Sequence, residues 1–184
     1  MKERVRVFEA LACLAVLCLP LLVLGQTAKS EDVWKPFGFF LGQWKGQGES
    51  GSGKGDYERS YARLYEGRFI EVHNQSTYPP SKENPKGEVH KDFGIISYDK
   101  IRKTFVLRQF HIEGFVNQYK LESISPDGKT IVFASEAIEN IPAGWRAKET
   151  YRILGADEFS ETFELAEPDK GFEPYSTAVF KRVK

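Results

Sequence analysis

The chain has 184 residues, and its 26 lysines and arginines balance its 26 aspartates and glutamates, so the formal net charge at pH 7 is zero. A balanced charge argues against the basic face that nucleic acids and anionic membranes require, and we expect neither of them as a partner. The two cysteines, Cys13 and Cys18, lie close to the N-terminus. If that segment is cleaved, the mature chain has no thiol for catalysis, disulfide formation or metal binding.

The first 25 residues have the pattern of a secretory signal peptide. Basic residues at positions 2, 4 and 6 are followed by an apolar run over 11–24, and the small residue Gly25 ends the segment. The apolar run is short for a membrane span, and Pro20 interrupts it. We therefore expect cleavage after Gly25, a secreted or periplasmic location without membrane contact, and one domain over 26–184.

The rest of the chain predicts an all-β fold. The segment 30–40 predicts a short N-terminal helical turn that Pro36 interrupts. Beyond it, runs rich in β-branched and aromatic residues alternate with turns marked by glycine, proline and aspartate. These runs predict strands over 43–50, 57–65, 68–77, 92–98, 104–112, 115–124, 130–138, 145–154, 158–166 and 174–183. About ten short strands favour a single up-and-down antiparallel barrel, because closure removes exposed sheet edges, and a two-sheet sandwich is the alternative.

Glycines are concentrated in the segment 42–55, around the first predicted strand. A phosphate-binding loop would need Gly-Lys-Ser or Gly-Lys-Thr before a helix, whereas Gly53-Lys54-Gly55 precedes a strand. We interpret Gly42, Gly46 and Gly48 as positions where the first strand bends and approaches neighbouring backbone closely. We interpret the three later glycines as a mobile connection to the second strand.

The first strand also carries a family resemblance. The run Leu41-Gly42-Gln43-Trp44-Lys45-Gly46-Gln47-Gly48 resembles the first strand of calycin-type barrels, which include lipocalins, fatty-acid-binding proteins and nitrobindins. Its Leu-Gly-x-Trp-x-Gly-x-Gly form is most similar to nitrobindins and to secreted proteins with similar barrels. The resemblance implies that Trp44 plugs the closed end of a barrel and that Arg182, on the last strand, packs over the indole. Such a cation–π contact contributes about 0.5–2 kcal/mol.

The resemblance to nitrobindins also implies a haem cofactor and peroxynitrite-isomerising chemistry. Nitrobindins bind haem through a histidine on the last strand, and the matching position in this sequence is Tyr175 or Ser176. No histidine follows His111, which leaves Tyr175 as the candidate ligand, because a tyrosine can bind haem iron. Haem binding is therefore the alternative function, whereas our main expectation is a barrel without a cofactor.

The alternation of side chains along the strands predicts an interior that binds a ligand. Glu149 lies on the same strand face as several apolar residues, and an ionised carboxylate inside a barrel needs a counter-ion such as Arg59, Arg63 or Arg108. Aromatic residues with a few convergent polar groups are typical of small-molecule sites. The predicted ligand-binding residues are Arg59, Tyr61, His111, Asn117, Tyr119, Glu149 and Tyr151.

Among these residues, we expect Arg59 and Tyr119 to anchor a polar head group such as a carboxylate, because a guanidinium binds two oxygens at once. In the alternative interpretation, Glu149 and Glu161 reach water at the strand ends, and the alternating tyrosines and arginines of 57–65 form an outer face.

The three histidines, His73, His90 and His111, do not have the spacing of a metal site, and His90 falls in a predicted loop over 78–91. No catalytic Ser-His-Asp or paired-acid set is visible, so we predict no metal and no catalytic residue. The sequence thus favours a non-catalytic barrel that binds a small, largely apolar ligand. An enzyme would use Glu149 as its acid or base, and a purely structural barrel would have a filled interior.

Overall fold

The computed structural model describes residues 32–82 and 84–184, so the predicted signal peptide over 1–25 lies outside the described residues. A 3₁₀ turn over Lys35–Phe40 precedes ten strands. The strands are β1 (Gly42–Ser50), β2 (Gly53–Leu64), β3 (Phe69–Tyr78), β4 (Glu88–Asp99), β5 (Thr104–His111), β6 (Val116–Ile124), β7 (Thr130–Glu139), β8 (Arg146–Gly155), β9 (Glu158–Ala166) and β10 (Glu173–Arg182). Each strand pairs with the next, and β1 also pairs with β10. The predicted all-β up-and-down antiparallel barrel is confirmed.

The barrel closes where β1 lies between β2 and β10. Trp44 stands opposite Arg59 on β2 and opposite Arg182 on β10. At Gly46, a Cβ atom would lie far inside van der Waals distance of the carbonyl oxygen of Val179. The closing pair of strands therefore depends on a residue without a side chain at this position.

Two connections at the same end of the barrel are shorter than the sequence predicts. Ser50 pairs with Gly53, so β1 and β2 are joined by a two-residue turn. Gly51 lies in this turn, and Gly53 and Gly55 belong to β2 rather than to a long mobile connection. Tyr78 pairs with Glu88, so the next long loop covers only 79–87 and His90 lies in β4. The sequence did not predict these strand ends because they consist of glycines and polar residues. Such residues lack the apolar alternation by which a strand is recognised.

The opposite end of the barrel is closed by aromatic side chains that contact one another. The indole nitrogen of Trp44 donates a hydrogen bond to the carbonyl oxygen of Phe40 at 2.7 Å, which ties the 3₁₀ turn to β1. Phe37, from the same turn, packs against Phe105 at a centroid distance of 4.7 Å. We call this cluster the aromatic plug: Trp34, Phe37, Phe40, Trp44, Phe105, Phe133, Tyr151 and Phe159.

A charged group covers the plug. The guanidinium of Arg182 lies 4.1 Å from the ring centroid of Trp44. It donates hydrogen bonds to the carbonyl oxygens of Leu41 at 2.8 Å and Phe39 at 2.7 Å. Arg182 therefore joins the last strand to the backbone at the end of the 3₁₀ turn. Among the described residues, no helix has the length and apolarity needed to cross a membrane.

Candidate functional site

The end of the barrel away from the plug contains a cavity of about 560 Å³. It reaches the ends of the strands where β1, β3, β5, β7 and β9 turn into the next strand. Apolar side chains form most of its wall, and polar side chains are concentrated on β2 to β6, β8 and β9. The apolar lining residues are Tyr57, Tyr78, Phe115, Ile138, Ile141, Pro142, Trp145, Phe163, Leu165 and Tyr175.

A second concavity, of about 630 Å³, is wide open and lies across strands β1 to β5, where Phe110 and Ile112 are exposed. A small molecule there would remain largely in contact with water, whereas ligand sites normally enclose most of the ligand surface. The interior cavity is therefore the better candidate site.

An ion pair lies inside the cavity. Nε of Arg59 donates to both carboxylate oxygens of Glu161 at 3.1 and 3.2 Å, and Nη2 donates to Oε1 at 2.5 Å. Nη1 donates to the carbonyl oxygens of Glu58 and Gln75 at 2.9 and 3.3 Å. Protein groups thus engage all three nitrogens of the guanidinium, which leaves Arg59 a weak anchor for a carboxylate ligand. The other expected counter-ions lie elsewhere: Arg63 pairs with Asp32, and Arg108 bonds Gln118.

Glu149 is buried in the cavity wall without an equivalent partner. Its Oε2 atom has no hydrogen-bond partner within the protein, and only 7% of the residue is exposed. Burial, followed by the nearby charge of Glu161, raises the pKa of Glu149 well above its usual range, and Arg59 opposes this only in part. The alternative interpretation requires this carboxylate to reach water. The structure instead buries it.

Three amide side chains leave further acceptor oxygens unpaired. Nδ2 of Asn74 and Nε2 of Gln109 both point to Oδ1 of Asp92, at 2.8 and 3.4 Å. The carboxylate fixes their orientation, so their own side-chain oxygens face away from it and have no partner within the protein. Oδ1 of Asn117 is also unpaired. With Glu149, four buried acceptor oxygens on cavity-lining residues lack a donor from the protein.

Two histidines and an aspartate meet in the same wall. Nδ1 of His111 lies 3.4 Å from Nε2 of His90, which in turn lies 3.8 Å from Oδ2 of Asp92. Burial, and then His90, lower the pKa of His111 to about 4, so its imidazole is neutral at pH 7. The spacing of the three histidines predicted no such cluster, and the side chain of the third, His73, is more than half exposed on the outer face. A signal was nevertheless present, because Glu88, His90 and Asp92 alternate in the sequence and share one face of a strand.

The predicted ligand-binding residues lie at two depths along the barrel axis. Arg59, His111, Asn117 and Glu149 line the cavity. Tyr61, Tyr119 and Tyr151 also point inward and are buried, but none of them lines the cavity, and Tyr151 belongs to the plug. Tyr61 and Tyr151 both pack against Phe40, Tyr151 also packs against Phe133, and the fully buried Tyr119 contacts the amide of Asn117. Alternation along a strand shows which side chains point inward, but not how far along the barrel axis they lie.

Tyr175, the residue that the nitrobindin resemblance implies as a haem ligand, lies at the cavity mouth. It is half exposed, and its ring packs against Phe163 at a centroid distance of 5.7 Å. Partial burial, followed by the charge of Glu88, raises the pKa of Tyr175. A phenolate ligand must lose its proton, which this environment opposes. Nothing in the described surroundings of Tyr175 favours a bond to haem iron.

Comparisons with known proteins support the fold. The crystal structure of Rv2717c from M. tuberculosis is similar with a TM-score of 0.59 and 16% identity, and the match covers 84% of this chain and 99% of that chain. A barrel from the de novo design of a fluorescence-activating β-barrel matches with a TM-score of 0.40 and 12% identity, over 79% of this chain and 94% of that chain. No protein-family model and no curated protein matches the sequence. At such low identity, the likeness to Rv2717c shows a shared barrel fold alone.

Proposed function

We propose that this barrel binds a small amphiphilic molecule in its interior cavity, with an apolar body against the aromatic wall and a hydrogen-bond donor or cation at the polar end. The observation that carries the proposal is the set of buried acceptor oxygens without a donor from the protein on Asn74, Gln109 and Glu149. Leaving a buried acceptor unpaired costs about 1–3 kcal/mol. Whatever fills the cavity therefore supplies donors to these oxygens.

The charges of the cavity support a ligand that is not anionic. Among the described residues, the carboxylates of Asp92, Glu149 and Glu161 are almost fully buried on cavity-lining residues, and the guanidinium of Arg59 is the one buried cation beside them. A fatty acid would add a further carboxylate to three buried carboxyl groups that share a single buried cation. These charges favour a ligand whose polar end is a cation or a hydrogen-bond donor. The sequence suggested a carboxylate instead.

The wall and the volume support an organic ligand rather than water alone. A cavity of about 560 Å³ falls within the usual range for small-molecule sites, about 300–1,000 Å³. Aromatic faces such as those of Tyr57, Tyr78 and Trp145 bury apolar surface and also attract cations. An alkyl or aryl amine combines the required properties, and binding it involves no chemical step, so we propose a binding protein rather than an enzyme.

A displacement assay tests the proposal. The purified protein, with EDTA present, is loaded with a fluorescent apolar probe, and the probe is displaced by decylamine, decanol or decanoate. We expect the amine to displace the probe at a concentration at least about tenfold lower than the acid, with the alcohol between them. Failure of the probe to bind, or displacement by the acid at the lowest concentration, would contradict the proposal.

A matched pair of variants locates the polar end. Glu149→Gln removes the buried ionisable carboxyl group and retains the size of the side chain, and we expect it to reduce the preference for amine over acid by about tenfold. Glu139→Gln makes the same change on the exposed side of β7 and should leave the preference unaltered. Equal effects of the two variants would show that the amine does not bind beside Glu149.

We also propose that the protein acts outside the cytoplasm, which rests on the predicted signal peptide over 1–25. N-terminal sequencing of the protein recovered from its host tests this directly. A mature N-terminus at Gln26, in a secreted or periplasmic fraction, is the expected result. An intact N-terminus in the cytoplasmic fraction would contradict it.

A further inference from the structure

Three potential metal ligands converge in the wall of the cavity: Nε2 of His90, Nδ1 of His111 and one carboxylate oxygen of Asp92. Each of the three residues offers a ligand atom that lies within 4.8 Å of those of the other two. The strand register produces this convergence, because Asp92 stands directly opposite His111 on the β4–β5 ladder and His90 lies two residues earlier on the same face. None of the three side chains is fully exposed.

The separations of these atoms suit ligands of one metal ion better than they suit hydrogen bonds. His90 and Asp92 are 3.8 Å apart at their nearest atoms, which is beyond hydrogen-bond distance. Two nitrogen ligands at about 2.0–2.1 Å from a tetrahedral zinc ion lie about 3.3–3.4 Å apart. The two imidazole nitrogens are 3.4 Å apart.

The atoms that do not converge are held by other side chains. Nδ1 of His90 lies 2.7 Å from a carboxylate oxygen of Glu113, and Oδ1 of Asp92 accepts from Asn74 at 2.8 Å. Histidines that bind metals commonly donate their second N–H to a carboxylate, which fixes the tautomer and directs the other nitrogen to the ion. With Glu113 accepting from Nδ1, the free lone pair of His90 is on Nε2, the atom that faces the cluster.

His111 needs one adjustment to complete this arrangement. Its Nε2 atom lies 3.2 Å from the side-chain amide of Asn117, whose Nδ2 also lies 2.8 Å from the hydroxyl of Tyr119. If that amide is turned over, its oxygen accepts from both the imidazole and the hydroxyl, and the oxygen that is now unpaired gains two donors. His111 then presents a lone pair on Nδ1 to the cluster.

We propose that His90, Asp92 and His111 together bind one divalent transition-metal ion, such as Zn²⁺, with its remaining coordination positions open to the cavity. Two imidazoles and one carboxylate are a ligand set found in zinc and non-haem iron sites that keep open positions. A cation at this point also compensates the buried carboxylate of Asp92. The nearby guanidinium of Arg59 is already paired with Glu161 and compensates Asp92 only in part. This proposal does not depend on which organic molecule the cavity binds.

Metal titration of the wild-type protein is the first test. The protein is purified from its host without an added histidine tag, with any remaining cysteine alkylated, and is stripped with EDTA and dialysed. Calorimetry with Zn²⁺ should give one site per chain with a Kd of about 10 µM or tighter. Because the chain has only three histidines, nuclear magnetic resonance of the imidazoles identifies the ligands: Zn²⁺ should shift the signals of His90 and His111 and leave that of His73 unchanged.

Variants provide the second test. His90→Gln and Asp92→Asn should each weaken Zn²⁺ binding at least about 100-fold, and Glu113→Gln should weaken it about 10–100-fold because this residue only orients His90. His73→Gln, a matched change on the outer face, should leave the Kd within about threefold of wild type.

Two results would overturn the proposal. One is the absence of saturable 1:1 binding by the wild-type protein at 1 mM Zn²⁺, and the other is a Kd for His90→Gln as close to wild type as that of His73→Gln. If the variants fail to fold, the imidazole signals of the wild-type protein still decide the matter. Equal shifts of all three histidines, or none, would then contradict a site at His90 and His111.

Discussion

The two ends of this barrel are built on opposite principles. At the closed end, aromatic rings fill the interior, the indole N–H of Trp44 reaches a carbonyl oxygen at 2.7 Å, and Arg182 covers the outside. At the open end, carboxylates and amides surround a cavity of about 560 Å³, and the buried acceptor oxygens of Asn74, Gln109 and Glu149 lack donors from the protein. The comparison indicates that stability is concentrated in the plug, whereas the cavity retains polar groups that weaken the fold until something binds to them.

The largest expected effect comes from truncating the plug. Trp44→Ala removes a side chain from a residue that is only 1% exposed, together with its hydrogen bond and its contact with Arg182. We expect the free energy of unfolding to fall by about 3–5 kcal/mol. Equilibrium unfolding in urea, followed by circular dichroism, measures the loss.

The matched change at the open end is Trp145→Ala. Trp145 lines the cavity and is only partly buried, so its truncation should cost less than about 1.5 kcal/mol. A loss of stability as large as that of Trp44→Ala would contradict the conclusion that stability is concentrated in the plug.

A smaller effect is expected from Arg182→Lys. A lysine keeps the positive charge, but it lacks the planar guanidinium that covers Trp44 while donating to the carbonyl oxygens of Leu41 and Phe39. We expect the free energy of unfolding to fall by about 1–2 kcal/mol. Arg152→Lys, on an exposed position of β8, should change it by less than about 0.5 kcal/mol. Similar losses in the two variants would mean that Arg182 contributes only its charge.

The smallest effect has the opposite sign and depends on pH. Burial and Glu161 raise the pKa of Glu149 in the folded state, so between its ordinary pKa of about 4.3 and the raised value the folded protein holds a proton that the unfolded chain has lost. This contribution of Glu149 to stability therefore falls as the pH rises through that window. Glu149→Gln should stabilise the protein by about 1 kcal/mol at pH 8 and by little at pH 4.

Urea unfolding at pH 4, 6 and 8 measures this difference, with Glu139→Gln as the exposed control. A stabilisation by Glu149→Gln that is the same at pH 4 and pH 8 would show that the carboxylate is not desolvated in the folded protein.

Most of the barrel could be predicted from the sequence, because the strand interiors alternate clearly between apolar and polar residues. The errors fall at the open end. β2 begins at Gly53 rather than 57, and β4 begins at Glu88 rather than 92. There the inward residues are glycine, histidine and acidic side chains, which local patterns assign to loops. Strand ends that line a polar cavity are therefore difficult to predict from the sequence.

The site was harder to predict than the fold. Alternation correctly indicated that Arg59 and Glu149 point inward, but it did not separate them from Tyr61 and Tyr151, which lie at the depth of the plug. The Arg59–Glu161 pair joins residues 102 positions apart in the chain, and the meeting of two histidines depends on the register of β4 and β5. Such contacts are set by strand pairing, which one sequence does not specify.

The backbone amide of Val183 donates to the carbonyl oxygen of Gln43 at 2.9 Å, so β10 ends beside the start of β1 at the closed end. The loops that surround the cavity all lie at the other end. A surface linker or reporter domain attached at Lys184 would therefore be held below the plug and away from the ligand. Immobilised through this terminus, every molecule would present its cavity outward, and changes of the loops for new ligands would leave the point of attachment untouched.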